Sequence, residues 1–544
     1  MKAFFKTLVV SNTILFFLSI LYIVFPGETL MWNIYGGLLI LTLAGNIFTS
    51  VFNKAPDKLK LIYLTLSSLG LLVVMLMNTV VSLSPTNESS RSALSMSIML
   101  LLLITGGVMN RAALLHTPQT NNKMYGFHNR AESKGKKLAR ITLIVVLSLS
   151  LLAGMLLAFV MLFNPYVSLL EIIISQYSLF YSFIFLSCSG LLIKLSRLDW
   201  QSVKGAIVLV IGVGLFLIFS LPLITTPSLL NESEASYTEA FGDEWRRFDD
   251  EVPEFSQRPV SIPAYFFGIQ SEPYNLTEDI LYYEGTEGVD DGLELRFDVY
   301  TPPADTQNLP GEGSTLVRIH GGGWNTGSKG AENFAQVNKY FAAQGYVVFD
   351  VQYGLNDQDQ FVNLADVPDE VSGDFSIDDM VRHLGEFTTY LADHHEDFGA
   401  SIDSVFFSGG SAGGHLANAV ALGLASGQYT DLLDERLTVS GIIPIYPANG
   451  LAGYQGIDGE DELVDPALLV DENSPPALVY QGDHDRIVDP RVAELFEEAY
   501  LNNGNTDIAV IRLPYGEHAS DLYFPGFYSQ TFMYYMERFM YQYK

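Results

Sequence analysis

The 544-residue sequence contains a single cysteine, Cys188, which lies inside an apolar run. One cysteine excludes a disulfide bond within the chain, and it equally excludes a structural zinc site built from cysteine ligands. Any exported part of the chain must therefore fold without disulfide crosslinks.

Basic residues are scarce from Thr226 onward, where 14 Lys and Arg are set against 55 Asp and Glu. Before Thr226 the balance is reversed, with 16 basic and 6 acidic residues, so the net charge of −31 hides a basic first part and a strongly acidic second part. An acidic surface repels polyanions, and no nucleic-acid partner is predicted. A split this sharp indicates two parts in two environments.

The basic part consists largely of apolar stretches, each near the roughly 20 residues that a helix needs to cross a bilayer. No small-residue cleavage site follows the first stretch and six more stretches do, so it is interpreted as an uncleaved helix rather than a signal peptide. Glu171 is the one acidic residue within these stretches, and its place near the outer end of the sixth favours an acid wetted at the membrane interface. Seven membrane helices are predicted, at 7–25, 31–52, 61–83, 93–109, 141–163, 167–193 and 206–224.

Basic residues lie almost entirely on one side of these predicted helices. Fifteen of the sixteen fall before the first helix or in the connections between helices two and three, four and five, and six and seven. Only Arg91 falls on the other side. The positive-inside rule therefore places the N-terminus in the cytoplasm, and an odd number of spans places the acidic part outside.

The acidic part alternates short apolar strands with amphipathic helices. This pattern predicts a mostly parallel sheet with helices on both faces, an α/β fold that follows an all-α transmembrane bundle. Three regions are predicted: a transmembrane domain over 1–225, an acidic linker or docking segment over 226–273, and an α/β domain over 274–544. Strands are predicted at 293–300, 314–320, 346–353, 404–409, 439–446, 476–482 and 507–513.

Ser411 occupies the centre of a Gly-Gly-Ser-Ala-Gly segment between an apolar strand and a helix-like run. Glycines permit the sharp turn that lifts a serine hydroxyl above the edge of a sheet. The first amides of the following helix would point at an anion formed on an attacked carbonyl. The segment therefore predicts a nucleophilic serine.

Three further motifs follow predicted strands, at the edge where α/β sheets bind ligands. In the HGGGW segment over 320–324, the glycines have no side chains, so their backbone amides can approach a substrate oxygen. The segment YQGDHDRIVDP contains Asp483, Asp485 and Asp489, which compete for the role of a catalytic acid. The segment YGEHA contains His518, so a serine, an aspartate and a histidine follow one another in the chain.

Together, HGGGW, SGGSAGGHLA, PPALVYQGDHDRIVD and YGEHA resemble the motifs of the α/β-hydrolase superfamily, close to its esterase/lipase group of acetyl-esterase or feruloyl-esterase type. The resemblance covers about residues 275–544. It implies an acyl-enzyme mechanism with no cofactor and no metal, and the family pattern G-x-x-D-x-x-V selects Asp485 as the acid. The implied site residues are Ser411, Asp485 and His518 as a triad, Gly322, Gly323 and Ala412 as oxyanion donors, and His320 and Trp324 beside the substrate.

The other histidines considered are interpreted as structural or surface residues rather than as catalytic or metal-binding ones. His415 lies on the first turn of the helix after Ser411 and is predicted to pack beside the turn. His394 and His395 stand with two acids near a helix end, where a solvated end is favoured over a metal site. His484 is interpreted as a loop residue.

The sequence thus predicts a membrane-anchored, extracytoplasmic serine hydrolase that cleaves carboxylic esters. No long apolar lid is evident, which favours short acyl chains on a small-molecule or glycan-linked ester. The alternatives are a peptidase of the same fold, an acyltransferase, and a seven-helix sensor or transporter whose outer domain only binds. The complete serine, aspartate and histidine set argues against the last of these, and the short linker leaves no room for a peptidase gating domain.

Overall fold

The structure is a computed structural model that describes residues 2–52, 57–86, 91–115, 133–270, 272–304, 306, 308–358 and 367–544. Lys54, Lys123 and Arg130, which contribute to the predicted charge asymmetry, lie outside the described residues.

Seven helical stretches among the described residues are long and apolar enough to cross a membrane, as predicted. A π-helical turn, Leu66–Gly70, interrupts the third stretch, and a 3-10 turn, Leu169–Ile173, begins the sixth. The helices that build them are α1 (Lys2–Val24), α2 (Leu30–Phe52), α3 (Asp57–Thr65), α4 (Leu71–Leu83), α5 (Ala93–Leu115), α6 (Lys134–Phe163), α7 (Ser178–Leu195), α8 (Val203–Phe219) and α9 (Leu221–Phe241).

A cluster of buried amides joins α1, α2 and α5. Asn12 and Asn46 exchange side-chain hydrogen bonds of 3.0 and 2.9 Å, and Asn110 donates to Asn46 Oδ1 at 2.8 Å. Polar side chains in an apolar bundle stabilise helix packing when they bond across helices in this way.

Asn46→Ala is expected to lower the stability of the bundle by about 1–2 kcal/mol, because it removes three bonds worth roughly 0.6 kcal/mol each. Thermal unfolding of the full-length protein in detergent measures the change. Thr105→Ala on the exposed side of α5 is the matched control, since its hydroxyl bonds only to backbone carbonyls of its own helix. Equal melting temperatures for the two variants would contradict a structural role for the amide cluster.

The region predicted as a linker is largely helical and packed on both of its neighbours. The seventh span runs beyond its predicted end to Phe241, where Gly242 adopts φ 77° and ends α9. Aromatic side chains explain the docking: Tyr237 and Trp245 are buried against the α/β domain, while Tyr265 is buried among the membrane helices. The short helices of this region are α10 (Phe248–Glu251) and α11 (Ile262–Phe267).

An eight-stranded sheet forms the centre of the acidic part, in the order β1-β2-β4-β3-β7-β8-β9-β10. The pairs β1–β2 and β2–β4 are antiparallel, and every other pair in this sheet is parallel. Its strands are β1 (Asn275–Glu284), β2 (Glu294–Thr301), β3 (Ser314–Ile319), β4 (Val347–Val351), β7 (Ser401–Gly410), β8 (Val439–Ile445), β9 (Ala477–Gly482) and β10 (Ile508–Leu513). Two short strands, β5 (Leu355–Asn356) and β6 (Ser372–Gly373), pair in a separate parallel sheet.

Both faces of this sheet are covered by helices, which confirms the predicted α/β class. In β9, Val479 packs into the layer that holds α13, α14 and α16, whereas Leu478 and Tyr480 pack into the layer that holds α9, α12 and α17. This arrangement leaves the carboxyl ends of β3, β7, β8, β9 and β10 at one edge. The helices are α12 (Gln336–Ala343), α13 (Ile377–Phe398), α14 (Ala412–Ser426), α15 (Asp461–Val464), α16 (Arg491–Asn502) and α17 (Phe527–Tyr543).

Candidate active site

Ser411 forms the turn between β7 and α14, with φ 57° and ψ −119°. A non-glycine residue in this region is strained, and such strain is characteristic of functional turns. The flanking glycines are required because a Cβ at Gly413 would lie 2.2 Å from the carbonyl oxygen of Ile319. The strained turn and the close approach of β3 together place Ser411 at the edge of the sheet.

His518 follows β10 and is paired with Asp485, which follows β9. Nδ1 of His518 lies 2.8 Å from Oδ2 of Asp485, and the other oxygen of Asp485 accepts the Val488 N–H at 2.8 Å. Asp485 is fully buried, and these bonds fix its carboxylate. The structure therefore pairs the aspartate selected from the sequence with the predicted base.

The two neighbouring aspartates occupy other positions. Asp489 is exposed and accepts the Arg491 N–H at 3.0 Å, at the start of α16. Asp483 lines a separate surface cavity beside Phe163. Neither carboxylate hydrogen-bonds to His518.

The electrostatics of the pair favour a charged imidazole. Burial alone would lower the pKa of His518, but the surrounding carboxylates, of which Asp485 has the largest effect, together raise the pKa above its ordinary value. A negative partner stabilises the imidazolium that forms when a histidine accepts a proton. The arrangement suits a general base.

Ser411 and His518 line one cavity of about 450 Å³ at the carboxyl edge of the sheet. Gly322 and Gly323 line it as well, with φ 116° and 61°. Among the described residues, no acceptor receives a hydrogen bond from the amides of Gly322, Gly323 or Ala412. Unpaired amides beside a strained serine are what an oxyanion hole requires.

Known proteins are similar to the acidic part of the chain. Residues 297–458 match the family described as BD-FAE, a stretch that includes Ser411 and ends before Asp485 and His518. The acidic part of the chain is an α/β-hydrolase domain.

Two curated relatives come from Mycobacterium tuberculosis. The probable carboxylic ester hydrolase LipM is 22% identical over 237 residues, covering 40% of this chain and 51% of its own. Esterase LipC is 24% identical over 233 residues, covering 38% of this chain and 53% of its own. The chain thus spans about half the length of the curated relatives it matches. Among solved structures, the apo form of Thermogutta terrifontis esterase 2 has a TM-score of 0.36 at 22% identity, covering 48% of this chain and 90% of that chain.

Of the two residues predicted to lie beside the substrate, Trp324 lines the cavity and His320 does not. His320 does not line the cavity, because its ring turns back, donates from Nδ1 to the Gly321 carbonyl at 2.8 Å and stacks on Tyr353. Burial lowers the pKa of His320 to about 4, so it is neutral and braces the glycine loop. Trp324 lines the cavity and also donates to Nδ1 of His415 at 3.1 Å. His415 is buried, as its interpretation as a packing residue requires.

Several cavity residues were not identified from the sequence. Tyr446, just after β8, donates to Asp521 at 2.8 Å, and both line the cavity. Neither residue belongs to a motif, so only their positions after strands could have indicated that they line the cavity. Val167 and Ile172 of the membrane part also line the cavity, and no sequence pattern links them to the hydrolase domain.

Glu171 departs most clearly from its predicted environment. It is fully buried rather than wetted, and one carboxylate oxygen accepts the Arg486 N–H at 2.9 Å. The predicted interfacial position fails because the hydrolase domain covers this end of the sixth span. Glu171 therefore lies beside the turn that holds Asp485.

Proposed function

We propose that this protein is a membrane-anchored serine hydrolase that cleaves carboxylic esters outside the cytoplasm. The observation that carries the proposal is the arrangement of Ser411 at a strained turn, in one cavity with His518, whose Nδ1 contacts the buried Asp485. The match to BD-FAE and the similarity to two carboxylic ester hydrolases support the reaction class.

The reaction follows from these groups in two steps. His518 removes the proton from Ser411 Oγ as the oxygen attacks the ester carbonyl, and the imidazolium is stabilised by Asp485. The amides of Gly322 and Gly323 receive the developing oxyanion, each such donor being worth roughly 3 kcal/mol. His518 then protonates the leaving alcohol, and water activated by the same imidazole hydrolyses the acyl-enzyme.

The cavity supports a preference for short acyl chains. Its volume of about 450 Å³ is at the small end of the range for ligand pockets, which is roughly 300–1,000 Å³. The acyl chain and the alcohol must share this space. A small-molecule or glycan-linked ester with a short acyl group therefore fits the proposal best.

Location outside the cytoplasm is supported by the charge asymmetry of the membrane part, with 15 basic residues on one side and Arg91 alone on the other. The seven helices of suitable length and composition support the same placement, since an odd number of spans puts the two ends of the membrane part on opposite sides.

Full-length protein in detergent is expected to hydrolyse p-nitrophenyl esters, with higher kcat/KM for acyl chains of about two to six carbons than for chains of twelve or more, because the small cavity excludes long chains. Absence of hydrolysis with every ester would contradict the proposed reaction. Higher kcat/KM for the long chains would leave the reaction standing and contradict only the chain-length preference.

A further inference from the structure

The connection between α6 and α7, residues 164–177, lies directly against the hydrolase domain. We refer to it as the interhelical segment. Val167 and Ile172 from this segment line the same cavity as Ser411, so the membrane part supplies some of the cavity wall.

Contacts from this part of the chain reach both residues that flank Asp485. The Asn164 side-chain amide donates to the carbonyl of His484, and His484 Nδ1 donates to the Met161 carbonyl at 2.9 Å. On the other side of Asp485, the Arg486 N–H donates to Glu171 at 2.9 Å. The turn that carries the acid is thus fixed before and after Asp485.

The loop that carries His518 is held in the same manner. The Ser175 N–H donates to the Glu517 carboxylate at 3.1 Å, and the Glu517 N–H donates to the Ser175 hydroxyl at 3.3 Å. Beyond His518, the Gln176 side-chain amide donates to the Ala519 carbonyl at 3.4 Å. The residues before and after His518 therefore both bond to the interhelical segment.

Of these groups, the Glu171 carboxylate has the largest free-energy cost of burial. The carboxylate has no exposed surface, and it accepts hydrogen bonds from Arg486 N–H at 2.9 Å and from Ser168 N–H at 3.4 Å. A buried carboxylate needs such bonds to offset the loss of its hydration. An apolar side chain at this buried position would avoid the desolvation cost but would accept neither bond. The carboxylate therefore joins the turn that carries Asp485 to the start of its own 3-10 turn.

We propose that Glu171, in the interhelical segment, is a positioning residue of the active site that fixes the Asp485 turn and adds negative charge to the surroundings of His518. This inference rests on the proposed ester hydrolysis. It gives the membrane part a role in the reaction beyond anchoring.

The charge of Glu171 has a defined effect on the base. The groups that face His518 are Asp485, Glu171, Asp521 and the phenol of Tyr446, and the three carboxylates all raise the pKa of His518. Burial, and then the neighbouring Glu171, raise the pKa of Glu517 well above its ordinary value. A base acts only when neutral, so removal of the Glu171 charge lowers the pKa of His518 and moves the acidic limb of the kcat/KM profile to lower pH.

The test compares Glu171→Gln and Glu171→Ala with wild type in full-length protein. Gln retains an oxygen acceptor for the Arg486 N–H, so its expected effect is mainly the shift of the acidic limb. Ala removes the acceptor, and a catalytic turn displaced by about 1 Å is expected to cost on the order of 100-fold in kcat with little change in KM. Tyr166→Ala, which is in the same segment and highly exposed, is the control and is expected to leave both quantities unchanged.

Amide hydrogen exchange gives a second readout that does not depend on activity. Exchange at the Arg486 amide is expected to accelerate in Glu171→Ala. Unaltered exchange there in a folded Glu171→Ala variant would overturn the positioning role, even for an inactive protein. If Glu171→Ala does not fold, Glu171→Gln is the deciding variant. An acidic limb of its kcat/KM profile identical to that of wild type would overturn the inference. A wild-type protein that hydrolyses no ester would instead refute the proposed function.

Discussion

Ser411→Ala is expected to lower kcat for ester hydrolysis by about 10⁴- to 10⁶-fold, because the attacking oxygen is removed. His518→Ala is expected to have a similar effect, since the serine hydroxyl is a weak nucleophile without its base. Steady-state kinetics with p-nitrophenyl butyrate measure both losses. Melting temperatures within a few degrees of wild type show that the variants are folded.

The double variant gives a sharper result than either single change. Because the two groups act as one unit, Ser411→Ala combined with His518→Ala is expected to cost little more than either alone. Losses that add on a logarithmic scale would contradict a shared step. Retention of near-normal turnover in Ser411→Ala would show that another residue is the nucleophile.

Asp485→Asn is expected to lower kcat by about 10⁴-fold, as the corresponding change does in a serine protease, because the amide stabilises the wrong tautomer of the histidine. The substitution alters the hydrogen bond between Asp485 Oδ2 and His518 Nδ1, which are 2.8 Å apart. The measurement is again steady-state kinetics, accompanied by thermal unfolding.

The chain supplies matched controls in the same turn. Asp483→Asn and Asp489→Asn make the same chemical change two residues before Asp485 and four residues after it, and neither side chain bonds to His518. Both are expected to retain activity within a few-fold of wild type. Severe loss in either control beside a near-normal Asp485→Asn would show that the wrong carboxylate was assigned.

Local patterns were sufficient to predict the elements that hold Ser411, Asp485 and His518. The apolar strand β7 runs into the glycine-rich segment around Ser411, and the apolar strand β9 ends at Gly482. The apolar runs and the glycines that end them are both visible in the sequence. The predicted strand at 404–409 falls within the observed Ser401–Gly410.

Elements defined by long-range contacts could not be predicted. The edge strand β1 is polar and largely exposed, so it lacks the apolar pattern of the central strands. Glu171 lies 315 positions before Arg486 in the chain, and nothing near Glu171 indicates that a hydrolase turn covers it. His320 belongs to a recognisable motif, yet the direction of its ring depends on Tyr353 beneath it.

The proposed function requires an activated serine on the outer side of the membrane. A membrane-impermeant fluorophosphonate, which reacts covalently with activated serines, can be added to intact cells that produce the full-length chain. Labelling of the wild-type protein is expected, together with its loss in Ser411→Ala. Labelling that appears only after the membrane is permeabilised would contradict the orientation, and undiminished labelling of Ser411→Ala would contradict the nucleophile.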